Sequence, residues 1–406
     1  MNVAFIVTDL SNTRIGGISR VATEVGRNLV ALGHRVTAYV LRRDGAQSPL
    51  SFDGIELRYV EKFGTVNPDY PVVGFSHRAF RQLLDDLERE SFDIVQTFNL
   101  NAIALPRFRG HLRAKQLPTV ISSYETIMMD VRAKATEFRA LPSMKTLLQV
   151  IAELYFALAH ETRYLRLADA VITEDANTRE ALVKMRIPAK RIHLIPSGVD
   201  VELAKTAKPP ASRRPWGDEG PVIGYIGRID PRKGVQYLID AMPRVLESYP
   251  TAHLVLAGGS RHGYDDVIRE RVGSQRLDGR VHLLGRITRD ILPYYKLMDV
   301  VVIPSLSEGI PITLGEAMAA EVPVVITRLP GVIPFVQPSD LVYWSDIASS
   351  ESLAVSIMAA LEDPDRKSRV QRAARFIAGY TWRAVAERHA EVYSSRLGDG
   401  GSRRGE

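Results

Sequence analysis

The sequence predicts an α/β protein made of two doubly wound, Rossmann-like domains in succession. Three observations carry that prediction. The 406 residues exceed what one hydrophobic core ordinarily serves, and short apolar runs alternate with helical periodicity along nearly the whole chain. The alternation breaks once, between Val201 and Gly220, where KPPASRRPWGDEG turns polar and proline-bearing. The expected division is therefore 1–200 for the first domain, 201–220 for a linker and 221–383 for the second. A C-terminal helix over 384–397 and a tail over 398–406 complete the chain.

VAFIV near the N-terminus reads as a buried parallel strand, and the loop TDLSNTRIGG follows it. Ile18, Val21, Val25, Leu29 and Leu32 then recur at helical spacing before the strand RVTAYV, which completes a βαβ unit. A helix over RAFRQLLDDLERE and the strands FDIVQTF and PTVISSY come next. A long helical stretch near 143–166 and the strands ADAVIT and RIHLIP end the half. The second half repeats the scheme with strands PVIGYIG, HLVLAG, VHLLG, VVVIP and PVVIT. Its helices are read over VQYLIDAMPRVLESY, near 264–274, over RDILPYYKLM and over GEAMAA. Such alternation places helices on both faces of a parallel sheet.

Composition removes several function classes. Lys and Arg number 53 against 47 Asp and Glu, an excess too small and too dispersed to demand nucleic acid, though it suits a phosphorylated ligand or an anionic membrane surface. The chain contains no cysteine, so disulfides, thiolate metal sites and cysteine nucleophiles are out, and a reducing, cytoplasmic setting fits. MNVAFIVTDL lacks a basic region ahead of its apolar run and reads as a strand, not a signal peptide. No apolar stretch reaches the length of a membrane span, so membrane contact is expected to be peripheral. The nine histidines form no HExxH or other metal-ligand spacing, and His160 and His253 read as structural. No metal and no cofactor is expected.

In open parallel sheets ligands bind beyond the carboxyl ends of the strands, which directs attention to the strand-to-helix loops. Gly16 and Gly17 precede the first helix and suit either a tight turn or backbone approach to an anion; they are not a GxGxxG fingerprint. GYIGRIDPRKG sets Arg228 and Lys233 in one loop with Gly227, Gly234 and the stiffening Pro231. Two cations there suit a diphosphate, since Arg engages oxygens bidentately and Lys supplies a compact charge. No Ser or Thr follows Lys233, so the Walker signature is absent.

EGIPITLGE places Glu308 and Glu316 at either end of a run that opens a helix. The amides of Ile312, Thr313 and Leu314 then lie at a helix N-terminus and favour phosphate. Carboxylates accept hydrogen bonds from hydroxyl groups instead. Phosphate donors flanked by acceptors match a sugar nucleotide, with Glu316 for the ribose and Glu308 for the transferred sugar.

These residues resemble the retaining GT-B glycosyltransferases of family 4. The resemblance covers nearly the whole chain through the GG loop, PSGVD at 196–200, GRIDPRKG, LVLAGG, LLGRI and SEGIPITLGEAMA with its E-x7-E spacing. It implies two Rossmann-like domains facing each other across a cleft, and a metal-independent transfer from a nucleotide-diphosphate sugar to a glycan, lipid-linked or small-molecule acceptor. By resemblance, catalysis falls to Glu308, Arg228 and Lys233. The donor would be held by Gly16, Gly17, Gly227, Arg228, Lys233, Gly258 and Arg286 with Ile287 at the base, and by Glu308, Gly309, Ile310, Pro311, Ile312, Thr313, Leu314 and Glu316. On the acceptor side stand Asn99, Tyr124 and Glu125. The last helix, WRAVAERHAEVY, is expected to cross back to the N-terminal domain.

This chain departs from the family pattern at several positions. Tyr124 stands where the family commonly has His, the preceding strand ends with Gln96, Phe98 and Asn99, Glu321 replaces a usual Gly, and Pro334 replaces a frequent Glu. No second carboxylate is placed as a nucleophile, and the family favours front-face substitution. The EGIP form of the loop resembles users of UDP-sugars, with GDP-mannose the open alternative. A sugar-nucleotide epimerase of the same architecture and a catalytically silent subunit are the other classes. MKTLLQVIAELYFALAH, beside the basic residues of 107–145, reads as a membrane-facing surface or, preferably for Leu147, Leu148, Ile151, Leu154 and Leu158, as the core face of a buried helix. Oligomeric state is left open.

Overall fold

A computed structural model describes residues 1–10, 17–42, 49–61, 72–124, 126–127, 131, 144–210, 219–260, 264–287 and 290–401. The chain forms two compact units, the first comprising Met1–Asn12, Gly16–Ser197 and Trp382–Glu406, the second Thr13–Ile15 and Gly198–Thr381.

The first unit holds β1 (Asn2–Ile6), β2 (Arg35–Leu41), β3 (Ser51–Phe52), β4 (Ile55–Val60), β5 (Ile94–Phe98), β6 (Thr119–Ser122), β7 (Ala170–Thr173) and β8 (Ile192–Leu194). They lie in the order β3-β4-β2-β1-β5-β6-β7-β8. Among the described residues these strands pair parallel except β3 with β4. Chain order reverses between β1 and β5, the switch point at which the loop before the helix Ile18–Ala31 and the Asn99 turn both emerge. Phe5 and Phe98 meet edge to face at 5.2 Å between those two strands.

The second unit holds β9 (Val222–Ile226), β10 (His253–Ala257), β11 (Val281–Gly285), β12 (Val300–Ile303), β13 (Val324–Thr327) and β14 (Tyr343–Ser345) in the order β11-β10-β9-β12-β13-β14. Ile223 and Tyr225 of β9 join one apolar cluster with the helices Val235–Ser248 and Ser350–Glu362. Val222 and Ile226 join another with Ile312–Ala319 and Arg366–Ile377. Covering both faces is why these strands read as unbroken apolar runs. The switch point here falls between β9 and β12.

Several elements differ from the sequence reading. Residues 201–206, within the span read as linker, form the helix Val201–Thr206 with Ala204 fully buried. Among the described residues of RDILPYYKLM only Leu292–Tyr295 is helical, with Pro293 in its first turn, where a residue that cannot donate fits a helix start. The stretch near 143–166 is Met144–Phe156, a π-helical turn Ala157–Glu161 and Thr162–Leu167. Of the residues expected on its core face, Ile151 is 54% and Leu154 38% exposed, with the neighbouring Met144 and Tyr155 more so. Leu147 is half-buried, while the side chains of Leu148 and Leu158 lie outside the described residues. The last helix runs Trp382–Gly401 and packs into the first unit, where His389 and Tyr393 reach Gln96 of β5. Among the described residues, no helix is long and apolar enough to cross a membrane.

Candidate active site

The loops leaving β9, β10, β11 and β12 bring together most of the residues singled out in the second unit. Backbone bonds lace the first three: Gly227 donates to Ala257 O at 3.0 Å, Ile229 to Gly259 O at 3.0 Å, and Gly258 to Gly285 O at 2.9 Å. A Cβ on Gly258 would stand 1.7 Å from the Gly227 carbonyl oxygen, so glycine there is dictated by loop packing. Arg286 is exposed beside this junction, whereas the Ile287 side chain is buried in the core.

The loop after β9 is organised by Asp230. Its Oδ2 accepts from Arg228 Nε at 2.5 Å, and its Oδ1 accepts the Lys233 amide at 3.2 Å, capping the short turn Pro231–Lys233. One carboxylate thus fixes both cationic residues. Gly234 ends the turn with φ 70, where any Cβ would fall 1.9 Å from Pro304 O. The loop is thereby pressed against the one after β12, and Leu306 N donates to Arg232 O at 2.8 Å between them.

Across that seam Lys233 Nζ lies 2.7 Å from Glu308 Oε2, with both side chains largely enclosed. Buried Ser305 donates its hydroxyl to the other Glu308 oxygen. Arg228 is the more accessible cation, its side chain 41% exposed. Beneath it Tyr225 OH donates to Arg228 O at 2.5 Å. Burial, then the negative charges of Glu308 and Asp230, push that phenol well above its ordinary pKa.

Gly309, Ile310 and Pro311 lead, all buried, into the helix Ile312–Ala319, whose N-cap Pro311 is extended and gives no side-chain cap. Leu314 N donates to Pro311 O at 3.0 Å, so that amide is engaged in the first turn. Ile312 and Thr313 remain the residues whose amides precede the helical ladder. Ile310 and Leu314 have buried side chains, leaving only their backbone to act. Glu316 is 1% exposed, and its Oε2 accepts from Tyr295 OH at 2.8 Å.

In the first unit, Gly16 and Glu125 lie outside the described residues. Gly17 is the N-cap of Ile18–Ala31, and a Cβ there would meet nothing within 4 Å. Asn99, at φ 47, accepts the Tyr124 amide on Oδ1 at 3.1 Å. Tyr124 itself is buried, and burial raises the pKa of its phenol. Glu161, in the π-helical turn, accepts the Ile127 amide on both oxygens at 2.9 and 3.0 Å and so anchors the chain after Tyr124.

Asp230, Ser305 and Tyr295 were not singled out from sequence. Asp230 had a readable signal, an Asx residue directly before Pro231 where a turn begins. Ser305 and Tyr295 had none.

Residues 15–203 match the family described as Glycosyltransferase Family 4, and residues 220–363 match Glycosyl transferases group 1. This chain belongs to glycosyltransferase family 4. It is 30% identical over 248 residues to an uncharacterised glycosyltransferase of Methanocaldococcus jannaschii, covering 58% of this chain and 62% of the relative. It is 31% identical over 218 residues to a GDP-mannose-dependent monoacylated alpha-(1-6)-phosphatidylinositol monomannoside mannosyltransferase of Corynebacterium glutamicum, covering 50% and 55%. The chain thus spans little more than half the length of these curated relatives. In fold it resembles the sucrose-phosphate synthase of Thermosynechococcus elongatus, with TM-score 0.77 and 20% identity over 98% of this chain and 99% of that one. The family 4 chain has the GT-B fold.

Proposed function

We propose that this family 4 protein is a retaining glycosyltransferase that moves a hexose or N-acetylhexosamine from a nucleoside diphosphate sugar to a glycan, lipid-linked or small-molecule acceptor. The observation that carries this reading is the meeting of Arg228, Lys233, Glu308 and the Ile312–Ala319 N-terminus at the switch point between β9 and β12. Arg228 and Lys233 would hold the diphosphate, with the amides of Ile312 and Thr313 beside them. Glu308 would accept a sugar hydroxyl, Glu316 the ribose hydroxyls, and the Gly285–Ile287 backbone the base.

In the step itself the bond from the anomeric carbon to the terminal phosphate oxygen breaks and the electron pair stays on the phosphate. The acceptor oxygen bonds that carbon from the same face, and its proton passes to the departing phosphate oxygen. Cations and helix amides aimed at the leaving diphosphate stabilise charge as it grows there, without a metal bound by the protein. Asn99 and the chain around Tyr124 and Glu125 are assigned to the acceptor. A UDP-sugar is favoured by the EGIP form of the loop; the GDP-mannose-dependent relative makes GDP-mannose the donor to test beside it.

Thermal unfolding in the presence of UDP-, GDP- and ADP-sugars tests the reading. The true donor raises the midpoint by mass action, and Arg228→Ala or Lys233→Ala reduces that shift for the bare nucleoside diphosphate as well. A protein that responds to none of the three, or variants that respond as the parent does, would sink the assignment.

A further inference from the structure

We infer that Glu308 is a built-in competitor for the diphosphate, held in that place by Ser305, and that it favours release of the spent nucleoside diphosphate over the intact donor. The inference rests on the function proposed above and adds how the site tells donor from product. Lys233 Nζ, the cation assigned to the diphosphate, sits 2.7 Å from Glu308 Oε2. The Glu308 side chain is 11% exposed and that of Lys233 19%, so little water screens the pair. Ser305, 1% exposed, donates its hydroxyl to the second carboxylate oxygen, and Thr327 Oγ1 donates at 2.6 Å to the Ser305 carbonyl, tying that residue to β13. The carboxylate is therefore aimed at Lys233 from a fixed support, unlike a mobile surface acid.

A phosphate oxygen brought to Lys233 meets that carboxylate. With an intact donor the sugar lies beyond the terminal phosphate, and its hydroxyls can hydrogen-bond Glu308, compensating the acid for the loss of the lysine. After transfer no hydroxyl remains. The terminal phosphate of the free diphosphate also carries roughly one more negative charge at neutral pH. Glu308 then repels the product and competes for its cation at once. The acid that recognises the sugar thus weakens binding of what is left when the sugar has gone. Ser305 is a positioning residue in this scheme, acting only through Glu308.

Calorimetric titration with UDP, GDP and ADP, and with the glucose ester of each, provides the test. For the nucleotide that the parent binds, Glu308→Gln tightens binding of the bare diphosphate by about fivefold or more. The same variant weakens the glucose ester, so the ratio of the two affinities inverts relative to the parent. Ser305→Ala moves the ratio in the same direction by a smaller factor in the parent, and by nothing in the Glu308→Gln background. A purely structural serine would act in both backgrounds alike. Bare diphosphate binding that is unchanged or weaker in Glu308→Gln, while Arg228→Ala still weakens the parent's binding, overturns this inference and leaves the proposed function standing. If the parent binds none of the nucleotides, both fall together. Melting curves of each variant confirm that a folded protein is titrated; should Glu308→Gln fail to fold, the Ser305→Ala ratio alone decides, with no change counting against.

Discussion

At position 321 a glutamate adopts φ 58, the left-handed region that costs a side chain with a Cβ and suits glycine. The geometry demands it. Glu321 N donates to Met318 O at 3.1 Å and Val322 N to Ala317 O at 3.0 Å, the paired bonds that close the C-terminus of Ile312–Ala319. A glycine would meet this demand without a Cβ in the way. Glu321→Gly should stabilise the protein by about 1 kcal/mol, read as a higher urea midpoint with an unchanged slope; a lower midpoint would show that the exposed carboxylate contributes more than the strain removes. Residues of the candidate site divide by the same logic. That Arg228, Lys233 and Glu308 come together was legible because charged groups in strand-end loops carry chemistry visible in the sequence itself. Ser305 was not, since its meaning depends on where the loop after β12 lays Glu308.

At the scale of elements, the central parallel strands were legible because both their faces are buried, which writes apolar runs into the sequence, whereas the half-buried β4 and the three-residue β14, also parallel, went unread. The β3–β4 hairpin passed unread although Asp53-Gly54 is its signature, with φ 49 and 81 at the two turn positions. The helix Met144–Phe156 shows a different limit: periodicity gives an apolar face and says nothing of what covers it. Met144, Ile151, Leu154 and Tyr155 stand 70, 54, 38 and 67% exposed, so these are the side chains a lipid surface would meet if the membrane-facing alternative held. Ile151→Glu should lower binding to vesicles of mixed phosphatidylcholine and phosphatidylglycerol by about tenfold, measured by co-sedimentation. Because Ile151 is exposed, stability should change by no more than about 0.5 kcal/mol. Equal binding by parent and variant would remove this helix from any membrane role.

For the whole molecule, fold likeness extends over 98% of the chain where sequence likeness to curated relatives covers little more than half. What the fold retains is a chain whose last helix returns to its first unit. His389 of that helix is buried, with Nδ1 at 3.3 Å from Gln96 Oε1, while Tyr393 OH donates to the same oxygen and Gln96 Nε2 donates to Ser122 Oγ at 2.7 Å. Because Gln96 Oε1 only accepts, the neutral imidazole carries its proton on Nδ1. Burial, followed by the charge of Arg388, pushes the His389 pKa down from 6.5 to about 3. Between those values the unfolded chain binds a proton that the folded one refuses, so stability rises with pH through this window and is complete above 6.5. Acidification to pH 5 should therefore cost about 2 kcal/mol through this one group. Comparing urea midpoints of the parent and His389→Asn from pH 7 to 4 isolates it: the variant should lose stability less steeply, and parallel slopes would mean that the histidine is not held neutral by its burial.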